Sequence, residues 1–260
     1  MRALILAGAA AASLALSSSA MAAGDAAEVP SENWSFQGLF GTYDQAALQR
    51  GYQVYTEVCA SCHSLELLSY RNLQAIGFTA DQVKKIAAEF EVPAGPNDEG
   101  ETVDDDGDPL MRPARPSDPF VKPFANSLAA RASNNGALPP DLSLMTKARK
   151  NGINYLYALL VGFSDPPEGK EMSEDMSYNK FFPGGQIAMA SPISEDAVEY
   201  EDKTKATVDQ MAKDVTTFLA WAAEPELNER KSMGIKVVAF LILLTVCFYA
   251  IKRKVWADQH

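Results

Sequence analysis

The sequence predicts a mainly α-helical domain with long loop insertions, held by one C-terminal transmembrane helix. Two observations carry this. Apolar residues recur at helical spacing behind N-cap residues in several separate segments, and no stretch reads as a strand or an internal repeat. Near the C-terminus, Val237 to Ile251 carries no charge and, extended back to Met233, is interrupted only by Lys236, whose stem can snorkel to the interface.

Residues 1–22 read as a secretory signal peptide. Arg2 supplies the basic start, Ala3 to Leu16 the apolar stretch, and Ala20-Met21-Ala22 the small-residue cleavage pattern. An uncleaved anchor is the plain alternative, but this stretch is rich in Ala and Ser and falls short of the roughly 20 strongly apolar residues that a span needs. Thr42-Tyr43-Asp44-Gln45 offers helix-start chemistry, and Leu48, Gly51, Tyr52, Tyr55 and Val58 follow at helical spacing, which puts Cys59 and Cys62 at the end of a helix. Thr79-Ala80-Asp81-Gln82 is a capping box before Val83, Ile86, Ala87 and Phe90.

From Pro93 to Pro123 the residues are Gly, Pro and the acidic run Glu99 to Asp108, with too few apolar side chains for the segment to order itself by burial. It reads equally as an inert solvated loop and as part of an acidic docking surface. Asn134 to Leu142 is turn chemistry opening a helix, with Pro in its first turn and Asp141 near its positive end. Helical patterns then run from Leu142 to Lys150 and from Ile153 to Phe163, and Ser164 to Gln186 returns to loop, broken by Pro166-Pro167 and Pro183-Gly184-Gly185. A last soluble helix opens on the capping box Thr207-Val208-Asp209-Gln210, turns Val208, Met211, Val215, Phe218, Leu219 and Ala222 inward, and ends before Pro225.

The division that follows is a signal peptide at 1–22, a translocated domain at 23–231, a membrane anchor at 232–251 and a cytoplasmic tail at 252–260. Basic residues flank the span on both sides, Arg230-Lys231 and Lys252-Arg253-Lys254, so the export signal sets the orientation and the flanking charge does not. The translocated domain holds 33 acidic against 18 basic residues, which makes nucleic acid an improbable partner and a basic protein a suitable one.

Cys59-Ala60-Ser61-Cys62-His63 matches C-x-x-C-H, in which two thiols form thioethers to one edge of a porphyrin and the next residue ligates the iron. A zinc site needs two further Cys or His ligands, and the sequence offers only Cys247 in the apolar run and His260 at its end. A thioredoxin-like pair expects a strand before the motif, whereas this one follows a helical pattern. The domain is therefore expected to hold one covalently bound haem c with His63 as an axial ligand.

An electron carrier keeps its iron six-coordinate so that the geometry holds when the charge changes. No second histidine lies on the translocated side, which points to a thioether on the far face of the iron, a ligand that favours the reduced state. Met111, Met145, Met172, Met176, Met189 and Met211 are available. Met211 and Met145 fit helical core positions, Met172 and Met176 lie in a polar acidic loop, and Met111 closes the acidic excursion. Met189, in the short apolar loop Gln186-Ile187-Ala188-Met189-Ala190-Ser191-Pro192 after a Pro-Gly-Gly turn, is favoured, and on these grounds the others stay open.

Tyr55 to Ser64, Met111-Arg112-Pro113, Asn134 to Ser143 and Trp221-Ala222-Ala223-Glu224-Pro225-Glu226 closely resemble the cytochrome c1 family, over nearly the whole mature chain. The resemblance implies a class I c-type cytochrome-like haem domain, with Met189 as the second iron ligand. It also implies that Arg149 pairs with a haem propionate, that Tyr155 lies near that edge, and that Asn134 and Pro140 line the haem. A solvated Arg149 and a merely helix-starting Pro140 are the bland alternatives. The loop departs from the family's Met-x-Pro-Pro pattern at Ser191 while keeping Pro192. The extra disulfide of some bacterial relatives cannot form here, so packing is expected to steady the Met189 loop.

The function implied is an electron relay in a bacterial inner-membrane ubiquinol:cytochrome c oxidoreductase. One electron would come from the Rieske iron-sulfur protein and leave to a soluble or anchored c-type cytochrome on the periplasmic side, beside cytochrome b in a dimeric complex. A self-contained peroxidase would need acid and base groups over an open iron, and the lack of a distal His counts against it. A freestanding tethered carrier would need only a small haem domain, without these insertions.

Overall fold

The computed structural model describes residues 27–259. The signal peptide expected at 1–22 and the terminal His260 lie outside the described residues. Among them are seven α-helices: α1 Gln45–Glu57, α2 Ala80–Ala88, α3 Ser127–Ser133, α4 Met145–Ala148, α5 Gly152–Val161, α6 Val208–Ala223 and α7 Leu227–Val255. Two short antiparallel pairs join them, β1 Glu91–Pro93 with β2 Met111–Pro113 and β3 Ser177–Tyr178 with β4 Gln186–Ile187.

The core is the crossing of α1 over α6. The Asp44 carboxylate starts α1 by accepting from the N–H groups of Ala46 and Ala47, and the helix buries Leu48, Gly51, Tyr52, Val54 and Tyr55. Gly51 is where the two backbones meet, since a Cβ at that position would lie 2.1 Å from the Asp214 carbonyl oxygen and 2.7 Å from Phe218 Cβ. Beside it the Arg50 guanidinium donates two hydrogen bonds to the Asp214 carboxylate, at 2.8 and 3.1 Å, and a third to Asp202. Asp214 is buried, and the forked pair together with Gln210 Nε2 satisfies its charge. With α5 packed on its other flank, α6 is buried on nearly every side. Around the crossing sit Tyr52, Tyr55, Tyr70, Phe120, Phe218 and Trp221, with Tyr70 and Phe120 rings 4.8 Å apart.

Several sequence expectations are corrected by local hydrogen bonding. The Thr79 capping box forms in both directions, but at Thr207 only half forms, because the Gln210 amide turns to Asp214. The helix expected from Leu142 to Lys150 shrinks to α4, since Asp141 is drawn into an Asx turn with the Ser143 N–H, which competes with helical bonding. The acidic excursion is ordered, although it buries little. Asn97 accepts from the N–H groups of Glu99 and Glu101, Asp104 accepts from those of Asp106 and Asp108, and β1–β2 closes the base. Elements without a sequence expectation are the two short strand pairs, the three-residue-per-turn helix Tyr70–Ile76, capped by Ser69 and Asn72, and the short α3, capped by Asn126.

The long C-terminal helix starts inside the domain. α7 runs for 29 residues, longer at both ends than 232–251, with Leu227 buried in the domain and an exposed apolar middle long enough to cross a membrane. Its first turns are tied down. Asn228 Oδ1 accepts from the Tyr43 N–H, the Lys231 ammonium donates to the carbonyls of Phe36 and Gly41, and Glu224 receives Lys147 and Arg230. Replacing Gly51 by Ala should force α1 and α6 apart at a cost of about 1–3 kcal/mol. That corresponds to a Tm lower by about 3–10 °C in a circular-dichroism melt of the detergent-solubilised protein, and an unchanged melt would refute the close-contact role.

Candidate haem centre

α1 ends at Glu57, and Cys59 to Ser61 form a single tight turn immediately after it, so the two cysteines follow the helix and do not lie within it. The turn is closed by the N–H groups of Cys62 and His63, both donating to the Cys59 carbonyl, at 3.1 and 2.9 Å. Tyr55, one helical turn before Cys59, donates its hydroxyl to the His63 carbonyl at 3.1 Å. The thiols are thus presented from a backbone fixed on both sides.

His63 is held by its ring as well. Nδ1 lies 2.7 Å from the Pro140 carbonyl oxygen, which can only accept, so Nδ1 carries the proton and Nε2 presents a lone pair. Burial holds the imidazole below its ordinary value, with the Pro140 bond opposing, and the neutral form is therefore the one presented.

Pro140 owes its place to its neighbour. Asp141 accepts from Ser64 Oγ and the Glu66 N–H, each at 2.8 Å, and from the Ser143 N–H at 2.9 Å. The Leu142 N–H donates to the Ser64 carbonyl, and the Leu67 N–H donates to Ser143 Oγ. These bonds stitch residues 64–67 to 140–143 and fix the carbonyl that orients His63. Burial disfavours charge on Asp141, but the hydrogen bonds from Ser143, Glu66 and Ser64 outweigh it and hold its carboxyl below the ordinary value.

The donor set fits a covalent haem c better than a metal cluster or a redox dithiol. The surroundings of Cys59 push its thiol up to about 12, opposite to the lowered value of a reactive Cys-x-x-Cys pair. Among the described residues no group of three or more His, Cys, Asp or Glu side chains could hold a metal ion. Leu138 and Leu144, which flank Pro140 in sequence, leave 44 and 48 % of their surface exposed, apolar area of the kind that a porphyrin face covers.

The other expected haem contacts fall into different settings. Arg149 is exposed and donates to the Ala148 carbonyl at 3.2 Å; Tyr155 is half-buried, and burial raises its hydroxyl while the Arg149 charge counteracts the rise. The Asn134 amide donates to the Ala130 carbonyl at 2.7 Å and caps α3. Pro140 is not the start of a helix, and it acts through its carbonyl. Met189 is half-buried in the loop that leaves β4.

Hydrogen bonds hold the hairpin that leads into that loop. Lys170 Nζ donates to the Gly184 carbonyl at 3.0 Å and lies over the Tyr178 ring. The Gln186 side chain accepts from the Ser173 N–H and donates to the Glu171 carbonyl. Buried Asn179 donates to the Leu159 carbonyl and accepts from the Phe181 N–H, pinning the hairpin to α5. Sequence reasoning missed Tyr55, Asp141, Lys170, Asn179 and Gln186 as supports. Only Tyr55 carried a signal, its placement one turn before the motif.

The Cytochrome C1 family profile matches residues 34–259. The chain is 50% identical to "Cytochrome c1 1, heme protein, mitochondrial" of Arabidopsis thaliana over 98% of this chain and 82% of that protein. It is 47% identical to "Cytochrome c1" of Rhodospirillum rubrum, over 94% and 93%. "Cytochrome b/c1" of Bradyrhizobium diazoefficiens is 46% identical over 89% of this chain and 36% of that longer protein. Asp141→Asn, which presents an amide donor to the N–H and O–H groups now bonded by the carboxylate, should cost about 1–3 kcal/mol. A haem-absorbance melt should show this as a lower midpoint, with Ser64→Ala giving a smaller shift, and equal melts of Asp141→Asn and the native protein would show that the stitch is dispensable.

Proposed function

The chain belongs to the cytochrome c1 family and carries covalently bound haem c, and on that premise we propose that it relays single electrons within the bc1 complex, from the Rieske iron-sulfur subunit to a c-type cytochrome. The observation that carries the reading is the His63–Pro140 hydrogen bond, which leaves Nε2 as an oriented ligand beside two free thiols. Bound haem c supplies a one-electron iron couple. The protein's own part is to hold that group still and poise it. Cys59 and Cys62 fix one edge, His63 gives a neutral imidazole of set orientation, and Met189 gives the thioether that favours the reduced state. Arg149, near Tyr155, offers a guanidinium to a propionate, with Asn134 and Pro140 beside the haem.

The partners follow from the same family. Cytochrome b and the Rieske protein are the neighbours of the proposed relay, and the relative named "Cytochrome b/c1" joins the two names in one protein. The helix α7 would anchor the chain in the bacterial inner membrane with the haem domain at 23–231 on the periplasmic side, behind a cleaved signal peptide at 1–22, in a dimeric complex. The excess of acidic residues in that domain would draw a basic acceptor and weaken its encounter as salt rises.

Two measurements test this reading. The oxidised protein should show the far-red charge-transfer band of thioether-ligated iron, and Met189→Leu should abolish it; a band that survived would transfer the role to another methionine. The second-order rate of electron transfer to a basic c-type cytochrome should fall steeply between low and physiological ionic strength, and a rate flat with salt would remove the steering role of the acidic surface.

A further inference from the structure

We propose that the turn Gly38-Leu39-Phe40 is a second membrane contact, placing its two apolar side chains in the lipid interface of the leaflet that faces the haem domain, beside the point where α7 enters it. Leu39 and Phe40 are 64 and 78 % exposed, adjacent, and on a tight turn. The turn is closed at its neck by the Thr42 N–H donating to the Ser35 carbonyl at 3.1 Å. Gly41 is required there, because a Cβ would lie 1.9 Å from the Gln37 carbonyl oxygen. Phe36 is buried in the core next to Tyr43, so the stem is fixed and only the tip stands free.

The neck of the turn is bound to the end of α6 and to the first turns of α7. The Tyr43 hydroxyl bonds to the Ala220 carbonyl and its N–H bonds to Asn228, while the Gly41 carbonyl bonds to Lys231. Lys231 lies in the second turn of α7, two residues before the exposed Met233, so the neck is fixed close to where that helix leaves the domain. The Phe36 carbonyl, on the other strand of the neck, meets the same Lys231 ammonium at 2.6 Å. Residues 38–40 form the tip between these two carbonyls in sequence, and Met233 and Ile235, the next apolar residues of α7 after Lys231, are themselves exposed.

Lipid is the occupant that this geometry favours. The neck is tied to α7 just before its exposed apolar run, and Lys231 already serves the two neck carbonyls. Two side chains are far too little for a specific protein interface, which needs on the order of 1,000 Å², whereas an interface of acyl chains and headgroups asks for no matching shape. The turn would act with α7 as a second point of support and limit how the haem domain tilts over the bilayer.

The test uses the assembled complex in phosphatidylcholine vesicles, with Cys247→Ala and a nitroxide on Leu39→Cys. References are Ile242→Cys within α7 and Leu67→Cys on the exposed face of the domain. At position 39 the label should collide with dissolved oxygen several-fold more than with a water-soluble nickel chelate, as at 242 and opposite to 67. A chelate-dominated label at 39 overturns the proposal, and so does a label immobilised and shielded from both, which would mean a neighbouring protein covers the turn. A chelate-dominated label at 242 would remove the membrane reading of α7 and the proposal with it. Phe40→Cys gives an independent second site.

Discussion

The contact on which the rest depends is the crossing of α1 and α6 at Gly51. One helix ends at the haem-binding turn and the other leads directly into α7, so the position of the haem relative to that long apolar helix depends on this contact. It is made close by a missing side chain and held in register by the forked Arg50–Asp214 pair, whose charge would be costly in the core if either partner moved. The pair gives direction as well as adhesion, since a guanidinium meets a carboxylate in few orientations.

The haem centre shows how little regular structure such a site needs. Its histidine is oriented by a loop carbonyl, that carbonyl is fixed by an aspartate, and the aspartate is satisfied by groups one and three residues beyond the histidine. The circuit returns to its starting strand, so the two loops brace each other. A hydroxyl from the last turn of α1 closes the remaining side. Rigidity here comes from satisfied hydrogen bonds at short range, and the helices serve mainly to bring the two loops together.

Much of this was legible in the sequence where one residue type has one physical use. The haem motif, the α1 and α2 starts, the inward face of α6 and the apolar span depend on local pattern and spacing, and each appears where its pattern lies. What was not legible depended on competition between partners. Asp141 reads equally as a helix-start charge or as an acceptor for a distant loop, and only the fold supplies Ser64 and Glu66. Gln210 fits a capping box until Asp214, four residues on, takes its amide. The acidic excursion was misread because burial was taken as the only source of order, while Asn97 and Asp104 order it through their own backbone neighbours. The supports of the hairpin before Met189, Lys170 and Gln186, are ordinary polar residues, and nothing in their local sequence marks the carbonyls that they meet.

The stapling of that hairpin by Lys170, Gln186 and Asn179 bears on how the protein matures. A hairpin closed by ammonium and amide groups needs no oxidant to form and cannot be trapped by a wrong sulfur pairing. Cys59 and Cys62 are then the only thiols between residue 27 and the anchor, since Cys247 lies within α7. Each has the other as its sole rival, so the one disulfide that could form between residue 27 and α7 is that within the haem motif, and its reduction frees both thiols at once.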